Sequence, residues 1–120
     1  MAIRAVRGAT CLEADDAAEM TEAVKELISE MIARNSLTDA DFISVLFTNT
    51  PDLTCGFPAA AAREIGFADV PLMCAQEIDV PGALARVVRV MAHVETDLAR
   101  ADVEHVFLRG AQVLRQDLSA

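Results

Sequence analysis

Residues Val87 to Val94 read Val-Val-Arg-Val-Met-Ala-His-Val. The density of valine predicts a β-strand, and strand side chains alternate between faces. Val88, Val90, Ala92 and Val94 then share one face, while Val87, Arg89, Met91 and His93 share the other. Phe42 to Thr48 is a second compact apolar run that reads as a strand buried on both sides. Two strands with two faces to cover constrain the fold strongly, because the chain supplies only one long amphipathic helix. A single helix covers part of one sheet face, so another subunit is the obvious cover for the second.

That helix begins at Asp16-Ala17-Ala18-Glu19, a D-x-x-E start in which Asp16 accepts a backbone N–H. Met20, Val24, Leu27, Ile28, Met31 and Ile32 follow at spacings of three and four, and Asn35 is a plausible stop. Ile3 to Arg7 reads as a short first strand closed by Gly8. Thr38 to Asp41 reads as a turn or one helical turn, and Thr50 to Gly56 as a loop. Pro58 to Ile65 reads as a short helix, with Pro58 in its first turn and Gly66 as its C-terminal cap. Val70 to Gln76 is expected as a third strand, and Asp79 to Gly82 as a turn into a short helical stretch ending near Arg86. Thr96 to Ala101 is expected as a turn and Val103 to Leu108 as a fifth strand. Gly110 permits a bend before Ala111 to Arg115, and a tail over residues 116–120 is expected to fray. Interleaved helices and strands in 120 residues make a single domain over residues 1–120. Its class is α+β (mixed α/β), with about five strands in a mixed sheet, one long helix and short helices.

The formal charge is −9, which argues against a nucleic-acid partner, since phosphate contacts need a basic face. Most of it is local: residues 13–41 hold nine acids and two bases, on the helix and its flanks. The cations are skewed instead toward arginine. Lys25 is the only lysine among ten, and arginine is the usual ligand for carboxylate or phosphate. No apolar run approaches 18 residues, so no membrane span is expected. Arg7 interrupts any signal-peptide core, and the three cysteines at 11, 55 and 74 form no C-x-x-C. A reduced, cytoplasmic protein is expected.

The usual reactive constellations are missing from the sequence. His93 and His105 are twelve apart, outside any ligand spacing, and read as packed or surface residues. Cys74 lies near Glu77, but a catalytic thiolate wants a histidine or a positive environment; by composition Cys74 is a core cysteine. No G-x-S-x-G, P-loop or G-x-G-x-x-G occurs. Arg89 is the informative residue. A guanidinium set within a valine strand must meet a carboxylate, because burying it alone costs several kcal/mol. Glu77 and an anionic ligand are both candidates.

The run Ile3-Arg4-Ala5-Val6-Arg7-Gly8-Ala9-Thr10 resembles the start of the monofunctional, trimeric chorismate mutases of the bacillus type. The similarity continues through Thr50-Pro51-Asp52-Leu53, Phe57-Pro58-Ala59, Arg63-Glu64, Val70-Pro71, Cys74, Gln76-Glu77 and Asp79-Val80. It runs on through Arg89-Val90-Met91, His105-Val106 and Val113-Leu114-Arg115, to Asp117-Leu118-Ser119, and so spans essentially the whole chain.

The resemblance implies a trimeric pseudo α/β-barrel that converts chorismate to prephenate, with active sites in clefts between subunits. That reaction is an intramolecular pericyclic rearrangement, so no cofactor, metal or nucleophile is expected. The resemblance also implies roles. Arg89 would bond the ether oxygen and a nearby carboxylate, and Arg7 the side-chain carboxylate. Glu77 would accept from the ring hydroxyl, with Cys74 nearby. Phe57, Ala59, Met73, Phe107 and Leu114 would contact the substrate as walls, and Arg63 and Arg115 would lie at the mouth.

Three departures from the family pattern stand out. Ala60 replaces a frequent lysine, Phe107 replaces a frequent tyrosine, and Glu64 to Pro71 is one residue short. Ala60 and Phe107 keep a second reading open: a trimer of similar fold, non-catalytic or resembling the imine/enamine deaminases, that binds a small carboxylate.

Overall fold

The computed structural model describes residues 1–117. The order of elements is β1 (Ala2–Cys11), α1 (Ala17–Arg34), β2 (Phe42–Asn49), α2 (Pro58–Glu64), β3 (Leu72–Gln76), β4 (Val87–Thr96) and β5 (Val106–Leu108). Three 3-10 turns lie at Asp39–Asp41, Arg100–Asp102 and Ala111–Asp117. The expected tail begins inside the last of these, and residues 118–120 fall outside the described residues.

The five strands form one mixed sheet in the order β3-β2-β4-β1-β5. β4 lies at the centre and pairs antiparallel with both β1 and β2. β3 and β5 are the edges and run parallel to their neighbours. The α+β class and the five strands expected from the sequence are therefore present.

α1 starts where its cap predicts: the Asp16 side chain accepts the N–H of Glu19 at 2.8 Å. Glu19 reaches back beyond the cap, accepting the N–H groups of Glu13 and Ala14. Met20, Ala23, Val24, Leu27, Ile28 and Met31 are buried along the helix. They pack on a core that includes Val6, Val45, Phe47, Val88, Val90, Ala92, Val94 and Val106. Asn35 does more than end the helix. It is 3% exposed, its amide donates to the carbonyls of Met31 and Glu104, and its Oδ1 accepts the N–H of Glu104. α2 packs against α1, β2 and β3, which puts both helices on one side of the sheet. The described residues measure 39 × 36 × 20 Å, a slab two layers thick.

Four expectations are corrected. β1 does not stop at Gly8 but runs on to Cys11. Gly8 is in mid-strand because α1 presses on it: a Cβ there would come within 2.6 Å of Met31 Sδ. Residues 82–86 form no helix. Gly82 and Arg86 have φ of +84° and +52°, and the Arg86 N–H is tied to Asp52 at 3.0 Å, so the chain crosses as an irregular loop. β3 begins at Leu72, since Val70 closes a turn on Phe67. β5 is only three residues long, because Asn35 takes the backbone groups of Glu104 that an earlier start would have used.

Candidate active site

Register places the reactive residues in two rows on the sheet face that the helices leave open. One row crosses four strands as Ala75, Thr48, Arg89, Ala9 and then, on β5, Phe107. The next row holds Met73, Leu46, Met91 and Arg7. Between them lies a concavity of about 430 Å³ lined by Arg7, Gly8, Ala9, Leu46, Thr48, Arg89, Val90, Met91 and Phe107. Two guanidinium groups thus meet in one largely apolar depression.

Arg89 stands on the central strand with its side chain 41% exposed. Its Nε lies 3.1 Å from Oε2 of Glu77, close enough for an ion pair. The geometry does not make a hydrogen bond, and the buried Nε has no hydrogen-bond partner among the described residues. Proximity fixes the charge pairing here, and the exposed part of the side chain borders the concavity. Glu77 is held from two other sides. Its N–H donates to the carbonyl of Asn49 at 3.0 Å, and its Oε2 accepts the Thr48 hydroxyl at 2.6 Å. The sequence leaves two partners for Arg89 open, and the structure shows the internal one, Glu77, in place.

Arg7 sits over the ring of Phe107, with Cζ 5.8 Å from the ring centroid, within the range of a cation–π contact. Phe107 is 6% exposed and packs with Ala9, Ala111 and Leu114 in a small second core. Leu114 therefore stands behind Phe107 and is half-buried.

The remaining expected site residues are not gathered here. Phe57 is 74% exposed at the start of α2, Ala59 is buried in the main core, and Arg63 is exposed near the end of α2. Arg115 is exposed and borders a separate depression with Arg34, Val103, Glu104 and His105. Met73 lies on the open face, at the outer end of its row, and is 63% exposed. Cys74 is the register partner of Phe47 and packs against the main core, on the helix side of the sheet. Its thiol does not line the concavity.

Cys11 and Cys55 are shifted away from the thiolate. Burial pushes the Cys11 thiol above its ordinary value, with Arg86 and Arg89 pulling against it. Burial and then Asp15 raise Cys55. Among the described residues no three His, Cys, Asp or Glu side chains are grouped as a metal site requires.

Thr48, Leu46, Ala9 and Met91 line the concavity without having been singled out for it. Met91 was readable, since alternation puts it on the face of Arg89. Thr48 and Ala9 depend on register across strands, which no local pattern carries.

A family model described as chorismate mutase type I matches residues 3–118. The chain belongs to the type I chorismate mutases. It is 42% identical over 120 residues to chorismate mutase AroH of Bacillus subtilis, covering 99% of this chain and 94% of that one. It is 44% identical over 119 residues to chorismate mutase AroH of Thermus thermophilus, covering 98% of each. The solved structure of a chorismate mutase from Clostridium thermocellum superposes with a TM-score of 0.89 at 47% identity, covering 91% of this chain and 97% of that one. Within the type I chorismate mutases, then, this chain carries Ala60 and Phe107 at the two positions where the resemblance leads one to expect lysine and tyrosine.

Proposed function

We propose that this protein catalyses the rearrangement of chorismate to prephenate at the Arg7–Arg89 concavity. The observation that carries the reading is the pair of guanidinium groups in one apolar depression, with Glu77 beside that of Arg89, in a chain of this family.

Chorismate is a dianion with an enolpyruvyl ether. In the transition state the C–O bond breaks, the new C–C bond forms, and negative charge grows on the ether oxygen. No proton or group is exchanged with the protein, so its contribution is geometric and electrostatic. Arg7 binds the side-chain carboxylate and holds the chain folded over the ring, which removes the entropy of reaching the reactive conformer. Arg89 faces the ether oxygen with the exposed part of its guanidinium and a permanent charge. The Glu77 carboxylate fixes that guanidinium and accepts the ring hydroxyl. The apolar lining keeps water away and strengthens each of these contacts.

Phe57, Arg63 and Arg115 stand outside the concavity of their own chain, and the open face carries Ile3 and Met73, both more than 60% exposed. A homotrimer in which a neighbour's exposed Phe57 and Arg63 close the cleft accounts for the position of these two residues and for the apolar open face. It would also cover the second sheet face.

The test is to mix purified protein with chorismate and follow the loss of diene absorbance. Turnover well above the uncatalysed rate is expected, and none at saturating substrate overturns the proposal. Sedimentation should give a trimer; a monomer at assay concentration overturns the shared cleft. Binding of small carboxylates without chorismate turnover would favour the non-catalytic or deaminase-like trimer instead.

A further inference from the structure

The backbone N–H of Arg7 donates to Nδ1 of His105 at 2.9 Å. This bond joins β1 to the residue just before β5, where the parallel ladder begins at Gly8 and Val106. His105 thus extends the ladder by one position, with an imidazole nitrogen in place of a carbonyl oxygen.

The residue is held for that task. Glu104, its neighbour in sequence, has both its N–H and its carbonyl clamped by the buried side chain of Asn35 at the end of α1. On the far side, Val106 is fully buried and Phe107 nearly so, under Arg7. The edge strand that positions Phe107 and the strand that carries Arg7 are therefore locked to each other at the root of the Arg7 side chain.

A backbone amide can only donate. Nδ1 must then present its lone pair, and the neutral ring carries its proton on Nε2. Protonation of Nδ1 would set two N–H groups against each other and end the bond. Among the described residues, the charged groups that border the same depression as the ring are Arg34 on α1 (paired with Glu30), Glu104 beside it and Arg115 on the last turn, with Arg7 across the hydrogen bond on β1.

We propose that His105 is a positioning residue for Arg7: as a neutral acceptor it fixes the Arg7 backbone, and with it the guanidinium over Phe107, and on protonation it releases both. The inference rests on the reading that Arg7 binds a substrate carboxylate.

The experiment pairs two readouts. The Arg7 amide is followed by 15N NMR through an acid titration of wild type and His105→Asn. Chorismate kinetics are measured over the same range for wild type, His105→Asn, His105→Ala and Arg7→Ala. In wild type the Arg7 amide shift and kcat/KM should move together on the acid side. His105→Ala should lower kcat/KM about three- to tenfold at neutral pH, as expected for one backbone-positioning hydrogen bond. His105→Asn, whose Oδ1 can accept in the same place, should restore most of that loss and abolish the acid step in both readouts.

An Arg7 amide that ignores the His105 titration, or an acid step unchanged in His105→Asn, overturns the proposal. Full activity in His105→Ala does so as well. Full activity in Arg7→Ala with a normal amide titration overturns instead the assignment of Arg7 to the substrate. The two failures are therefore distinguishable.

Discussion

Oε2 of Glu77 is shared: it accepts the Thr48 hydroxyl at 2.6 Å and faces Arg89 Nε at 3.1 Å. Thr48 and Arg89 are register partners on β2 and β4, so the carboxylate sits across the seam between two strands. Glu77 arrives there from the end of β3 with its own N–H fixed to Asn49. Three strands thus set the direction of one guanidinium.

Arg89→Ala should abolish most catalysis while leaving the fold intact. Loss of a charge-stabilising donor costs about 2.7–4 kcal/mol in kcat, or roughly 10²- to 10³-fold. Stability should change little, because the side chain is on the open face and Val88 and Val90 carry the packing. Chorismate turnover and far-UV circular dichroism check the two halves. Retained activity would make Arg89 structural.

Glu77→Gln preserves an acceptor for Thr48 but removes the charge that faces Arg89. The same carboxylate is proposed to accept the substrate's ring hydroxyl, and a hydrogen bond to a charged group is worth about 1.5–3 kcal/mol, so kcat/KM should fall roughly 10- to 100-fold. An unchanged rate would show that Arg89 is oriented without it.

Cys74→Ser should leave most of the activity, because the thiol faces the core and no thiolate step occurs. A hydroxyl at this partly buried position should cost about 1 kcal/mol of stability. Complete inactivation in a folded variant would contradict the pericyclic mechanism.

Asp15 gives a pH signature. Its carboxylate accepts the Thr54 hydroxyl at 2.7 Å and the N–H groups of Thr54 and Cys55, which lowers its pKa to about 2. The folded state therefore prefers the ionised form. Its contribution is complete above the ordinary carboxylate value near 4 and is lost as pH falls toward 2. Asp15→Asn should be less stable than wild type at pH 7, and the gap should close near pH 2. Denaturant titrations at both values test this, and a gap independent of pH would refute it.

Ala60→Lys should lower KM for the dianion by about two- to fivefold, the effect of one exposed charge worth under 1 kcal/mol. Phe107→Tyr should add a hydrogen bond to a substrate carboxylate, with a gain in kcat/KM of roughly two- to tenfold. Steady-state kinetics of the two single variants and the double decide both. No change in either would place these residues away from the substrate.

Much of the fold was readable because its signals are local. The Asp16 cap and the spacing from Met20 to Met31 suffice for α1, and valine density suffices for β4. What was not readable depends on distant neighbours. Gly8 reads as a strand end, yet it is a mid-strand clearance for Met31. Arg86 reads as the end of a helical stretch, yet its tie to Asp52 across the loop fixes an irregular path. The site divides in the same way. Arg89 is conspicuous in a valine strand, and resemblance alone picks out Arg7. Thr48 and Ala9 reach the concavity through pairings that exist only in the folded sheet.

The central strand β4 uses both of its faces. Residues 88, 90, 92 and 94 hold the helix layer, and Arg89 and Met91 between them line the concavity on the open face. Inserting or deleting one residue in this strand would exchange the two sets, sending a guanidinium beneath the helix and a valine into the cleft. Packing and the candidate site are thus written in a single reading frame along residues 88–94, and length changes must be confined to the connections outside the strand.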